Sequence, residues 1–129
     1  MNVKLHKLIG TAVLGLSLFA NGLPAGAGTV SHPQVTVGTS GADGSMAGAR
    51  YSADSQQYIG CRFSNTTGPY VICLARDSAG KSLSCAGFES RYLAAAKAIT
   101  DFSKISFGVT PGTASCSRLA VDNYSYHLR

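Results

Sequence analysis

The sequence predicts an α+β domain of order β-β-β-α-β-β: a small antiparallel sheet, one helix packed on its core face, and two disulfides. Three observations carry this expectation. Four cysteines fall between positions 61 and 116 of a 129-residue chain. Three short apolar runs are separated by five-residue, Gly-containing loops. An alanine-rich run then repeats its apolar residues at helical spacing.

A chain of this length has room for one domain, and its opening reads as an address. Residues 1–27 carry Lys4 and Lys7 with no acid, then an apolar run, Pro24 and the small-residue pattern Ala25-Gly26-Ala27. This is the pattern of a signal peptide cleaved before Gly28. Ser17, Asn21 and Gly22 interrupt the run, whereas a membrane anchor needs about 20 apolar residues, so no membrane span is expected after cleavage. Residues 28–50 are rich in Gly, Ser and Ala with only Val30, Val35 and Val37 as apolar anchors. They read as a flexible arm, with a short strand at 34–37 as the alternative. Residues 51–129 form the expected disulfide-stapled α+β domain, about 80 residues and small enough for cross-links to matter.

The first three strands are expected at 57–64, 70–76 and 82–88. Setting Cys61 opposite Cys73, and Cys73 opposite Cys85, centres the two turns on Thr67 and Ala79, inside the loops. Because side chains alternate across a strand, this register gathers Ile59, Cys61, Phe63, Val71, Cys73, Ala75, Leu83 and Cys85 on the core face. Tyr58, Arg62, Tyr70, Ile72, Leu74, Arg76 and Ser84 fall on the other face, a mixed surface suited either to solvent or to contact. A helix follows at 90–102, with Tyr92, Leu93, Ala96, Ile99 and Phe102 as its stripe and Ser90 as N-cap. Ile105, Phe107 and Val109 alternate as a strand, Pro111-Gly112 turns the chain, and 118–126 returns as the last strand.

Cys116 is out of phase with Leu119 and Val121, which calls for a bulge or loop end that aims it inward. Three cysteines aligned on adjacent strands cannot all pair with one another, so one of them reaches Cys116 and the other two close across neighbouring strands. All three connectivities remain open at this point. Spacings of 12, 12 and 31 lack the close pair of a zinc cluster. Disulfides, and hence a secreted or periplasmic location, are therefore expected, with no metal site.

Composition narrows function more than it defines it. The formal charge of +5 falls to +3 once Lys4 and Lys7 leave with the leader, and the remaining cations are scattered with no run that would track a phosphate backbone. The stretch Ala75 to Ser82 resembles a phosphate-binding P-loop with its first glycine replaced, but it joins two strands where that motif must open a helix, so it is read as a hairpin loop. The mature chain holds two histidines, His32 and His127, both near its ends, and the acids Asp43, Asp54, Asp77, Glu89, Asp101 and Asp122 form no recognisable pair. No catalytic, cofactor-binding or metal-binding residue is assigned, and no cofactor is expected. Tyr58, Tyr70, Tyr124 and Tyr126 are the candidate contact surface, for a glycan, a peptide or an extracellular protein. Asn65-Thr66-Thr67 and Asn123-Tyr124-Ser125 match the N-glycosylation pattern, which matters only in a glycosylating host.

The run Arg50-Tyr51-Ser52-Ala53-Asp54-Ser55-Gln56-Gln57-Tyr58-Ile59-Gly60-Cys61, with Cys116 and the Asn123-Tyr124-Ser125-Tyr126 ending, resembles a group of small, uncharacterised exported bacterial proteins. The likeness covers about the last 80 residues. It implies a secreted bacterial setting and supplies no catalytic residues. The leading expectation is a non-catalytic extracellular or periplasmic binding or interaction protein. The alternatives are a small secreted hydrolase with a dispersed site including His127, and a cell-envelope assembly component whose arm adds to a neighbour's sheet edge.

Overall fold

In the computed structural model, residues 30–127 are described, so the expected leader at 1–27 lies outside the described residues. The described part of the segment that follows is built into the body. Residues 36–50 supply β1 (Thr36–Val37), β2 (Gly41–Ser45) and the short helix α1 (Met46–Arg50). Three hairpin strands come next, β3 (Tyr58–Ser64), β4 (Tyr70–Arg76) and β5 (Ser82–Gly87), then helix α2 (Ser90–Lys97). The chain closes with β6 (Lys104–Val109), β7 (Cys116–Asp122) and a 3₁₀ turn, Ser125–His127.

The class is the expected one, α+β with antiparallel strands and two disulfides, and the strands divide between two sheets. One has the order β3-β4-β5 and the other β1-β2-β6-β7. The expected flexible arm at 28–50 is thus corrected: β2 pairs with β6 along its whole length, Gly41 opposite Gly108 through Ser45 opposite Lys104. Counting apolar side chains underestimated this segment because it packs through small ones. Ala42, Ala47 and Ala49 are buried along with Val35 and Val37. At Gly44 even a methyl group would come within 2.8 Å of the Val35 main chain, so the close approach requires glycine.

The β3-β4-β5 meander matches the expected register residue for residue, with Cys61 opposite Cys73 and Cys73 opposite Cys85. Val71, Cys73 and Ala75 are fully buried on its inner face. They join Val35, Ile59, Ile105, Phe107 and Tyr92 in one core between the sheets and α2. The helix is shorter than its apolar pattern. Glu89, not Ser90, occupies the N-cap position, with no side-chain cap bond. At the other end Asn123 donates to the Ala98 carbonyl and accepts from Ser103 Oγ, while Ser103 Oγ takes the Thr100 N–H. These two side chains bond main-chain groups that an ending helix leaves open, so Ile99 and Phe102 lie beyond it. Asn123 is thereby committed to a structural cap.

The last strand ends at Asp122 rather than 126. Its pairing slips between Gly108 and Val109, so that Gly108 faces Arg118 and Val109 faces Cys116. The extra residue, Ser117, turns Cys116 into the core, as the phase of the sequence requires. The disulfides are Cys61–Cys73, across directly opposed strands, and Cys85–Cys116, from β5 of one sheet to β7 of the other. No helix among the described residues is long and apolar enough to cross a membrane.

Two consequences are measurable. Loop-closure entropy for separations of 12 and 31 residues gives contributions of about 3 and about 4 kcal/mol respectively. The Cys85→Ala/Cys116→Ala variant should therefore lose more stability than Cys61→Ala/Cys73→Ala in urea unfolding. A Cβ at Gly48 would collide with Pro33 O, Ser45 Oγ and His32 O. Gly48→Ala should cost about 1–3 kcal/mol, whereas a detached arm would leave the urea midpoint unchanged.

Candidate ligand cleft

The loop between α1 and β3 is held by side chains bonding to nearby main chain. Ser45 caps α1 by accepting from Gly48 N at 2.7 Å. Ser52 Oγ then donates to the carbonyl of Ala49 or Asp54. Asp54 Oδ1 accepts from the main-chain N–H groups of Gln56 and Gln57, both at 2.9 Å, and its Oδ2 accepts from Gln57 Nε2. Gln57 reaches further, taking Val35 N on its Oε1 at 2.8 Å and donating to Gln34 Oε1. This one side chain ties the loop to the segment leading into β1.

The loop so fixed forms one wall of a cleft of about 630 Å³; the turn at Asp101 and Phe102 faces it, and Met46 and Ala47 of α1 line it. Arg50, Tyr51, Tyr58, Phe102 and Asp101 also line it. The cleft therefore combines aromatic faces with one cation and two carboxylates, Asp54 and Asp101, the mixture that orients a polar ligand over an apolar floor. A second groove, about 670 Å³ between the β6–β7 turn and β5, is lined by Thr39, Ser40, Ser82, Thr110 and Thr113 among others and by no ionisable side chain.

Hydrogen bonding sets the charge of Asp54. The Gln57 amide first, then the Gln56 N–H, hold its carboxyl below the ordinary carboxylate range. It is accordingly an anion, with both carboxylate oxygens engaged by loop donors. Tyr70 is lowered from the usual phenol range by the Ser64 hydroxyl and, after that, by the positive charge of Arg62.

The four tyrosines singled out by sequence do not form one surface. Tyr58 lines the cleft. Tyr70 lies on the same sheet face but at the far end of the β3–β4 pair, since Tyr58 faces Arg76 and Tyr70 faces Ser64. Its ring neighbour is Phe88, 6.0 Å away. Tyr124 and Tyr126 stack on each other at 5.2 Å around the 3₁₀ turn, not along a strand, and Tyr126 also meets the His127 ring edge-on.

His127 is packed inside, 1% exposed, with Nδ1 2.9 Å from the Ser31 carbonyl. A carbonyl only accepts, so Nδ1 carries the proton. The group facing His127 is main chain rather than an acid, and both ring nitrogens of His32 are buried without a partner among the described residues. No cluster of His, Cys, Asp or Glu among the described residues is arranged to hold a metal ion.

Neither a protein-family model, nor a curated protein, nor a solved structure matches this chain. Its function is argued from the site alone. Sequence reasoning missed Arg50, Tyr51, Asp101 and Phe102 as site residues because the two walls lie about fifty positions apart. Asp54 followed two residues later by glutamines was the one local signal, an Asx turn.

The lowered pKa of Asp54 has a definite sign. A carboxylate whose folded pKa is depressed contributes stability that is fully present above its unfolded value. That contribution disappears as pH falls through the folded one. With an unperturbed value of 3.8, Asp54→Ala should be less stable than the native chain at pH 6. The gap should narrow below about pH 4, read as urea midpoints across pH 2–6.

Proposed function

We propose that this chain is an exported bacterial protein that binds a glycan unit in the cleft without transforming it. The observation that carries the reading is the state of Asp54. Its carboxylate takes three hydrogen bonds from Gln56 and Gln57 and stays ionised. It thus has no proton to give as a general acid, and three of its roughly four acceptor sites are taken within the loop. Beside it, the rings of Tyr51, Tyr58 and Phe102 offer faces for the apolar side of a sugar, and Arg50 and Asp101 offer charge for its hydroxyls.

Export is supported by the Lys4, Lys7 and Ala25-Gly26-Ala27 pattern and by two disulfides with no free cysteine among the described residues. The assembly alternative loses its donor strand, because β1 and β2 are already paired within the chain.

The test has two parts. Expression in a bacterium should yield a product starting at Gly28 in the periplasm or medium. A panel of soluble oligosaccharides should include at least one that raises the melting temperature of the native chain and is recovered intact by mass spectrometry. Tyr58→Ala and Arg50→Ala should each weaken that binding at least tenfold. Cleavage that requires Asp101 would replace this reading with a small hydrolase, and a silent panel would end the glycan assignment.

A further inference from the structure

We infer that the outer face of β3-β4-β5 is a docking surface for a short peptide segment of a partner protein, one carrying apolar side chains bordered by carboxylates. The inner face of this sheet is filled by the core, while Tyr58, Leu74 and Phe88 of the outer face are exposed and Met46 of α1 approaches it at Gly60. Leu74, at 40% exposure, stands between Gly60 and Ser84 in the paired strands, so it projects as a ridge flanked by residues with little or no side chain. Ile72 continues the ridge, and Tyr70 with Phe88, 70% exposed, closes one end. Arg62 sits beside Ile72, and Arg76 marks the other end. An apolar centre with aromatic rings and arginine at its border, and without Lys, Asp or Glu, is the composition of a protein-binding patch.

Charge and area identify the occupant. The ion pairs among the described residues are Arg91–Glu89 and Lys104–Asp43, so neither Arg62 nor Arg76 has a carboxylate partner among them, and Arg76 Nη2 donates only to the neutral Gln56 Oε1, at 3.5 Å. Asp77, at the neighbouring loop, is committed to the N–H groups of Ala79 and Lys81. A second copy of this face would bring arginines and no acid, so no carboxylate would meet Arg62. Three strands of this length present only roughly 300 Å², and two such faces fall well short of the about 1,200 Å² of a stable dimer. A short acidic and apolar segment satisfies both limits, with the arginines meeting its carboxylates.

The probe is a fluorescein-labelled ten-residue peptide alternating Glu with Leu or Phe, compared with its Lys counterpart by fluorescence anisotropy on the mature chain. The Glu peptide should bind at least tenfold tighter than the Lys peptide. Leu74→Glu and Arg62→Glu should each weaken it at least tenfold, and Arg62→Glu should improve binding of the Lys peptide. That gain requires a folded variant, and peptide mapping of the Cys61–Cys73 and Cys85–Cys116 bonds provides a second check. Leu74→Glu should leave oligosaccharide binding in the cleft unchanged, so the two sites fail separately. Equal binding of both peptides, or no binding of the Glu peptide, overturns the inference. So does heparin displacing the Glu peptide while Leu74→Ser has no effect, which marks a plain anion site. A dimer in sedimentation that Leu74→Glu abolishes assigns the face to a second copy and overturns it equally.

Discussion

The junction at Cys116 holds the two sheets to one another. Ser117 is the extra residue that turns Cys116 inward, its sulfur bonds Cys85 of the other sheet, and its carbonyl accepts the Tyr92 hydroxyl at 2.9 Å. Beside it the Ala86 N–H donates to Ala114 O at 2.7 Å, bringing the edge of β5 against the approach to β7. One residue thus carries a covalent link, a helix contact and a change of strand register. Tyr92 lies flat against Gly87, where a methyl group would strike its ring at 2.6 Å, so α2 can sit close enough to make the bond. In a body this small, fixing the relative placement of two sheets at a single covalent point relieves apolar packing of much of that task.

The remaining core is assembled from modest side chains at close range. Phe107, Ile105 and Val71 are its large fully buried members, and around them the contacts rely on alanine and glycine. Dispersion rises steeply as surfaces approach, so small residues that admit another backbone substitute for bulk that the chain lacks. Residues 41–50 are the clearest case, with glycines at 44 and 48 pressed against Val35 and the Pro33 carbonyl.

Electrostatics then separates the surface into two kinds of place. Asp54, Asp77 and Glu89 spend their charge locally, on loop N–H groups or on Arg91. Arg50, in the cleft, and Arg62, on the open sheet, have no carboxylate partner among the described residues. These three acids therefore act locally, while Arg50 and Arg62 stay exposed.

Much of this was legible before any coordinates. The alternation of the 57–88 meander, the phase error at Cys116 and the alanine run of α2 are local properties, and each sets its own geometry through strand period, turn length or helix spacing. The cleft was not legible, because Arg50 and Tyr58 meet Asp101 and Phe102 only through the packing of α1 against β3 and the early end of α2.

What the sequence determined by itself was the sheet register and the need for one cysteine to cross to Cys116, since both follow from side-chain direction along a strand. Which cysteine crossed, and whether residues 36–50 joined the body, was decided only in three dimensions. Glycine and alanine carry no directional signal of their own, and their burial depends on what another segment brings within contact distance.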